Sequence, residues 1–449
     1  MRRRFLALWL VLASFAASLR AADVEAIVVA LGDMHSAYDR TAQFVAHVER
    51  LRTENPGVPL AVLIDGDTFE LGNAVARRSE GAVELAMLAT LARRGPVILN
   101  LGNHEPDLFD PVDAVAKLQT VGVTVLGGNV RNLATGAALA PATARLKLGA
   151  HEATVVGLTT DRLSTFRAAV RPMLDLTDPV TWAKQNLATA LKDAALPIVM
   201  THTGLKADRE ILPLVPDGTL FVAAHDHLRF VHRVGRTVYF HSGSWTEFIS
   251  VARLRREGSA WRWDVEHQRI DPADPTDPAL AKLVRETLER HLTAEEKTIV
   301  GRSPRALGPT DAALFAVEAA RAAAGADAAV IGGTTFGAGL PAGEVSRFAF
   351  DACVRFDGPL YAAEVDGAWL QKLMARCNQG PDTPFAERGG ENLAAVAPSV
   401  IEPGKRYRFV TTDWIARNPQ NYLGENPPAL VELPTLKLKA AVIGALAQP

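Results

Sequence analysis

Ile27-Val28-Val29-Ala30-Leu31-Gly32-Asp33-Met34-His35 is an apolar run that ends in a turn carrying an acid and an imidazole two residues apart. The run has the continuity of a strand buried on both faces, and an Asp and a His at its end form half of a divalent-metal site. The chain repeats the arrangement. Asp67 follows Leu63-Ile64, Asn103-His104 follow Val97-Ile98-Leu99, His202 follows Ile198-Val199-Met200, and His225-Asp226-His227 follow Leu220-Phe221-Val222. Taken singly, each is an ordinary turn. Together they put five of the eleven histidines at strand ends, which is where sites assemble in open α/β sheets.

Outward from these turns, strand-like runs alternate with helical patterns from Ala26 to about Trp263. Phe44, Val45, Val48 and Leu51 recur at helical spacing before Asn55-Pro56-Gly57, and Leu85, Leu88 and Leu91 do so before Gly95-Pro96. The stretch from Val231 to Leu254 reads as meandering β. These patterns predict an α/β domain over residues 23–270, built as a sandwich of two mixed sheets with outer helices. The Pro- and Asp-rich stretch Asp271 to Pro278 reads as a linker. A helix carrying Leu280, Leu283, Leu288 and Leu292 follows, making residues 271–298 a connector. A smaller α+β domain is expected over residues 299–449, with an Ala-rich helix from Asp311 and strands at Ala328–Ile331, Leu360–Val365 and Tyr407–Val410. A chain of 449 residues accommodates two such cores.

Charge excludes some partners. With 48 Lys+Arg against 50 Asp+Glu and no basic block, nothing points to a nucleic-acid polymer or a membrane surface. Arg2-Arg3-Arg4 followed by the apolar stretch Phe5 to Leu19 and by Ala21-Ala22 reads as a signal peptide over residues 1–22. The expectation is an exported protein, periplasmic if the source is a Gram-negative bacterium, with no stable membrane anchor after signal removal. An uncleaved anchor is the alternative. Cys353 and Cys377 leave two readings open, a disulfide in an exported chain or two buried thiols.

Asp, His and Asn suit a pair of borderline divalent ions, because carboxylates neutralise charge and can bridge while imidazoles bind directionally. Two ions roughly 3.5–4 Å apart can generate a nucleophile at neutral pH and clamp a phosphoryl group. Gly32-Asp33-Met34-His35, Gly66-Asp67, Gly102-Asn103-His104-Glu105, Thr201-His202 and His225-Asp226-His227 together resemble the signature of calcineurin-like metallophosphoesterases. The full layout resembles the exported 5′-nucleotidase/UDP-sugar hydrolase family, which adds a C-terminal substrate-binding domain. The resemblance implies that Asp33, His35, Asp67 and His227 hold one ion. Asp67, Asn103, His202 and His225 would hold the other, with Asp67 as the bridge. The ions are zinc, manganese or iron. It further implies that His104 stabilises the transition state and protonates the leaving oxygen while Asp107 orients it. An imidazolium beside developing negative charge needs such a carboxylate to hold its proton.

The second domain departs from that family. Gly332-Gly333 leading to Leu340-Pro341-Ala342-Gly343 resembles its hallmark loop, but the position that usually carries an arginine falls at about Gly337, and Asn418-Pro419-Gln420-Asn421-Tyr422 replaces a glycine-rich segment. Phe356 and Trp414 can be placed as the aromatics that sandwich a base, and Arg302 and Arg305 fall about where phosphate-contacting arginines belong. His241, after Val238-Tyr239-Phe240, reads as structural rather than as a ligand. The sequence therefore favours hydrolysis of a small-molecule phosphoester, nucleotides first. A phosphatase, phosphodiesterase or thiosulfate-ester hydrolase for another substrate stands second, and a metal-binding protein without catalysis last.

Overall fold

The structure is a computed structural model that describes residues 24–390 and 392–447; the signal-peptide segment lies outside the described residues. Val24–Gly32 sits centrally in a six-stranded sheet whose order is Ala260–Arg269, Phe248–Glu257, Val24–Gly32, Leu60–Asp65, Val97–Asn100, Thr124–Leu126. The last four run parallel and the first two form an antiparallel hairpin at one edge. The second six-stranded sheet has the order Arg229–Val234, Thr237–Ser242, Leu220–Ala223, Leu196–His202, His151–Thr159, Thr143–Leu148. Its four inner strands are parallel and its two edges antiparallel.

The alternation along the first strand explains the layering. Ala26, Val28 and Ala30 face the second sheet and pack with Leu63, Ile98, Ile198, Met200, Val222, Phe240 and Trp263. Ile27, Val29 and Leu31 point the other way, into a core shared with helices Thr41–Glu54, Ala82–Ala92 and Pro111–Thr120. A third core, from Val156, Leu158, Val199 and Phe221 to Val180 and Leu187 of helix Pro179–Ala190, covers the outer face of the second sheet. The result is the expected sandwich of two mixed sheets between helices, with strands apolar on both faces because both are covered.

Pro278–His291 does more than connect. Asp277 caps its first turn by accepting from the Ala279 and Leu280 amides. Leu280 then enters the first domain's core, with Val284 beside Tyr38 and Val75. Ile299–Ser303 pairs with Gly343–Ser346 and opens the second domain. Its five-stranded sheet runs Leu393–Val396, Ala328–Gly332, Arg406–Thr412, Pro359–Asp366, Val431–Lys437. Helices Pro309–Ala323 and Leu438–Leu446 cover one face, and Gly367–Met374 covers the other. Cys353 packs on the first of these faces and Cys377 on the second, and both are free thiols, which decides the question the sequence left open. Burial raises each thiol to about 12, so neither offers a reactive thiolate at neutral pH. Among the described residues no helix is long and apolar enough to cross a membrane.

Trp263 is fully buried between the two sheets. Replacing it with Ala is expected to cost about 3–5 kcal/mol, read as a lowered first transition in thermal or denaturant unfolding of the whole chain.

Candidate metal centre

Parallel pairing aligns the carboxyl ends of the strands that carry the predicted ligands. Gly32 pairs with Asp65 and Asp65 with Asn100 in one sheet. Thr159 pairs with His202, Thr201 with Ala223 and Ala223 with His241 in the other. Beyond Gly32 the pairing continues irregularly: the amides of Asp33, His35 and Ser36 donate to the carbonyls of Gly66, Asp67 and Thr68. The two sheets therefore deliver their turns to one place.

Asp33, His35 and His227 form one potential metal-binding group and Asp67, His202 and His225 another, with further groups joining His35, Asp67 and His104. Imidazole nitrogens Nε2 of His35 and His227 lie 3.0 Å apart. Asp33 Oδ1 is 4.0 Å from the former and 3.8 Å from the latter. Asp67 Oδ2 is 3.1 Å from His202 Nε2 and 3.9 Å from His35 Nε2, so this carboxylate stands between the two groups. Asn103 donates its Nδ2 to the Thr165 carbonyl, and its Oδ1 is buried without a partner. His202 donates Nδ1 to the Asp65 carbonyl at 2.6 Å, which turns its Nε2 inward, 3.1 Å from Asp67 Oδ2. Buried carboxylates shared by several imidazole nitrogens, with a buried amide oxygen left without a partner, fit divalent ions, and the Asp65 carbonyl fixes which His202 nitrogen faces inward.

Backbone strain concentrates on the same side chains. Asp33, His35, Asp67, His225 and His227 all have φ between 49° and 85°, as do neighbouring Ser36, Trp245 and Thr246. Non-glycine residues avoid this region, and they occupy it where the surroundings over-determine the turn. Here Glu105, fully buried, does much of that. Its Oε2 accepts from the Asp67 and Gly102 amides at 2.9 and 2.6 Å, and its Oε1 from the Thr68 amide at 2.8 Å. Gly102 is obligatory at the crossing, because a Cβ there would collide with the Asp67 side chain and backbone.

Electrostatics divides the histidines. Burial, which disfavours charge, and then the neighbouring cations lower His35 to about 4 and His225 to about 3, leaving neutral imidazoles that can ligate. Burial raises Asp33 to about 7, with Asp67 adding to the shift against the opposing pull of His202. Burial would lower His202 too, but Asp67 outweighs burial and raises it well above the ordinary imidazole range, and His104 is raised as well. Burial would lower His104, but Asp107, then Asp67, outweigh burial and raise it to about 10. Its Nδ1 lies 2.6 Å from Asp107 Oδ2, its backbone amide donates to Asp67 Oδ1 at 2.8 Å, and its Nε2 remains on the cluster side, 3.8 Å from Asp67 Oδ2. His104 is therefore an imidazolium with one proton committed to Asp107 and one available.

The remaining predicted residues lie in the second domain or beneath the cluster. Arg302 pairs with Glu344 at 3.3 Å and Arg305 with Asp311 at 3.1 Å, both on the exposed surface of the second domain. Phe356 and Trp414 are exposed, at 55% and 45%, with the Trp414 indole N–H donated to the Tyr422 hydroxyl at 2.8 Å. His241 is buried beneath the site, on the Tyr239 hydroxyl and beside Asp208. Sequence reasoning did not find Glu70, Glu105, Trp245 or Arg355. Trp245 stacks on His35 with ring centroids 5.3 Å apart and donates its amide to the Asp33 carbonyl. The same indole occupies the space beside Gly337, where any Cβ would collide with it and with the Ala352 carbonyl.

Comparisons with known proteins agree with this geometry. Residues 27–229 match the calcineurin-like phosphoesterase family. No curated protein matches the chain. A 5′-nucleotidase from Candida albicans is 12% identical with a TM-score of 0.60, over 95% of this chain and 98% of that one. A 5′-nucleotidase precursor from Thermus thermophilus is 16% identical with a TM-score of 0.58, over 94% and 96%. The sulfate thiohydrolase SoxB of Thermus thermophilus is also 16% identical with a TM-score of 0.58, over 93% and 82%. The two-domain fold is thus shared along nearly the whole chain.

Glu105→Gln turns one acceptor oxygen into an NH2 group, so the bonds on one side of the carboxyl, from Thr68 or from Asp67 and Gly102, are lost. It is expected to cost roughly 1–3 kcal/mol, measured as a lowered unfolding midpoint, together with weaker metal retention on dialysis.

Proposed function

We propose that this chain, whose residues 27–229 are a calcineurin-like phosphoesterase domain, hydrolyses small-molecule phosphate esters, with nucleotides as the first substrate class. The observation that carries the reading is the Asp67 carboxylate, buried between two imidazole-rich groups whose ring nitrogens His35 Nε2 and His202 Nε2 both turn toward it. Asp33, His35, Asp67 and His227 would hold one divalent ion, and Asp67, Asn103, His202 and His225 the other. When bound, such a pair supplies charge neutralisation at phosphorus and a nucleophile at neutral pH. Zinc, manganese and iron all accept this donor set.

The remaining chemistry belongs to His104. Asp107 accepts the hydrogen bond from Nδ1–H, so the ring stays an imidazolium and presents its Nε2–H to the phosphoryl oxygens or to the leaving oxygen as negative charge develops there. Asp107 Oδ2 also accepts from the Leu71 amide at 2.7 Å, which fixes the carboxylate that fixes the ring. Exposed Phe356 and Trp414 offer π faces for a base, which supports a nucleotide. Two observations favour a second reading, a phosphodiesterase, phosphatase or thiosulfate-ester hydrolase for a different small molecule. Gly337 cannot carry the arginine usual in that loop, and Arg302 and Arg305 are engaged with acids of their own domain.

The cationic start and apolar stretch of residues 2–19 support an exported protein. A mature N-terminus near Asp23 in the exported fraction is the expected finding, and a full-length chain retained in membranes would overturn it.

Chelator-stripped protein supplied with each metal is expected to regain hydrolysis of AMP, bis(para-nitrophenyl) phosphate or a thiosulfate ester. AMP turnover identifies the nucleotidase reading, and turnover of another ester alone identifies the second. Asp67→Ala is expected to abolish turnover and to lose at least one metal equivalent. His104→Asn is expected to keep both and to lower kcat by roughly 10²- to 10⁴-fold. Full activity in Asp67→Ala would falsify the assignment.

A further inference from the structure

Arg355 stands in the second domain and reaches into the first. Its side chain is 4% exposed. Nη1 donates to the Thr334 carbonyl at 3.0 Å, and its backbone amide donates to the Thr335 carbonyl at 3.0 Å, so the arginine is held on the glycine-rich loop that follows Ala328–Gly332. Nη2 donates to Glu70 Oε2 across the domain boundary. Glu70 is 5% exposed and comes from the turn after Asp67; the same Oε2 lies 3.2 Å from His35 Nδ1, while Oε1 accepts from the Gly72 amide at 2.8 Å. The guanidinium also lies 5.5 Å from the centre of the Trp245 ring, which stacks on the His35 ring.

We infer that Arg355 is a positioning residue: acting through Glu70, it orients His35 for metal binding, so that the docked second domain completes the metal centre of the first. The inference rests on the metal-centre reading above. A carboxylate buried beside Asp107 is unfavourable without a cation, and the arginine is the fixed cation that pairs with it. A Glu70 held at both ends presents one defined oxygen to His35 Nδ1, which leaves Nε2 directed at Asp33 and His227. This is the relation by which outer-shell carboxylates set the tautomer and direction of ligating histidines. The acid of the relay comes from the first domain and the cation from the second, so affinity for the metal depends on domain docking at this one point.

Metal retention tests the idea independently of turnover. Whole-chain protein, titrated with zinc or manganese against a competing chelator, is compared with Arg355→Met, Glu70→Gln and Arg209→Met. Arg209 donates to the Phe385 and Arg388 carbonyls at a second contact between the domains, one that does not involve Glu70. Arg355→Met is expected to weaken one of the two metal equivalents by roughly 10- to 100-fold and to lower kcat more than it raises KM. Glu70→Gln should weaken the same equivalent, the double variant should be no worse than the weaker single one, and Arg209→Met should bind metal as the parent does. If Arg355→Met does not fold, Arg355→Lys, which keeps the charge but loses the fork, serves instead and should weaken the same equivalent by less. Unchanged metal affinity with raised KM would make Arg355 a substrate contact and overturn the proposal. Equal weakening in Arg209→Met would assign the effect to docking in general and also overturn it. A parent protein that binds no metal would instead overturn the metal-centre reading itself.

Discussion

A fully buried carboxylate at the junction of two imidazole clusters is the constraint on which the structure turns. Asp67 lies beside His202, with His35 and His104 close by. Burial alone would raise its carboxyl, but His202 and then His104 outweigh burial and hold it well below the ordinary carboxylate range. A charge kept out of water needs compensation at every lone pair. His104 therefore supplies a backbone amide as well as an imidazolium, and Glu105 keeps the turn in place from behind by gathering three amides. Gly102 is small because any side chain would occupy the carboxylate's own volume.

Such a site could not be built on one sheet. The parallel strands of a single sheet bring ends together along a line, whereas two facing sheets bring two lines of ends against each other. Asp33, His35, Asp67 and Asn103 come from the first sheet's turns, and His202, His225 and His227 from the second's. The close approach is marked where the His225 amide donates to Asp33 at 3.0 Å and the Trp245 amide donates to the Asp33 carbonyl at 2.7 Å. Positive φ at five of the predicted ligands is the local cost of turning each chain sharply enough. The apolar layer between the sheets holds those turns still.

What was legible in the sequence was what repeats. Apolar runs of strand length ending in Asp, Asn or His recur because each buried strand needs both faces covered and each turn needs a polar tip. That periodic signal carried the sandwich and the seven clustered residues. Its limit is distance along the chain. Glu70 and Arg355 are separated by 285 positions, and no pattern in either neighbourhood announces the other. Trp245 reads as an ordinary aromatic after a strand until the fold stacks it on His35. Arg302 and Arg305 rest on a loose positional analogy, and in the fold they pair with Glu344 and Asp311 on the exposed surface. The helix Pro278–His291 looked like a connector because its charged face is prominent in the sequence, whereas its burial against the first domain depends on helices some two hundred residues earlier.

The second domain packs onto the imidazole cluster through the loop at Gly337. The space beside Gly337 is taken by the Trp245 indole, and the loop is held there by hydrogen bonds from the Gly337 and Ala338 amides to the Cys353 and Ala352 carbonyls. An arginine at that position would need the indole to leave, and the indole covers His35. The positive charge at the domain boundary enters instead from Arg355, beside Phe356, and is spent on Glu70 rather than left free. A cation engaged in this way contributes to the order of the metal centre more than to the capture of an anionic group. On the proposed reading, the polar end of a substrate would then be held chiefly by the divalent ions and His104, and a planar or apolar body by the exposed aromatic faces, which fix no hydrogen-bonding pattern.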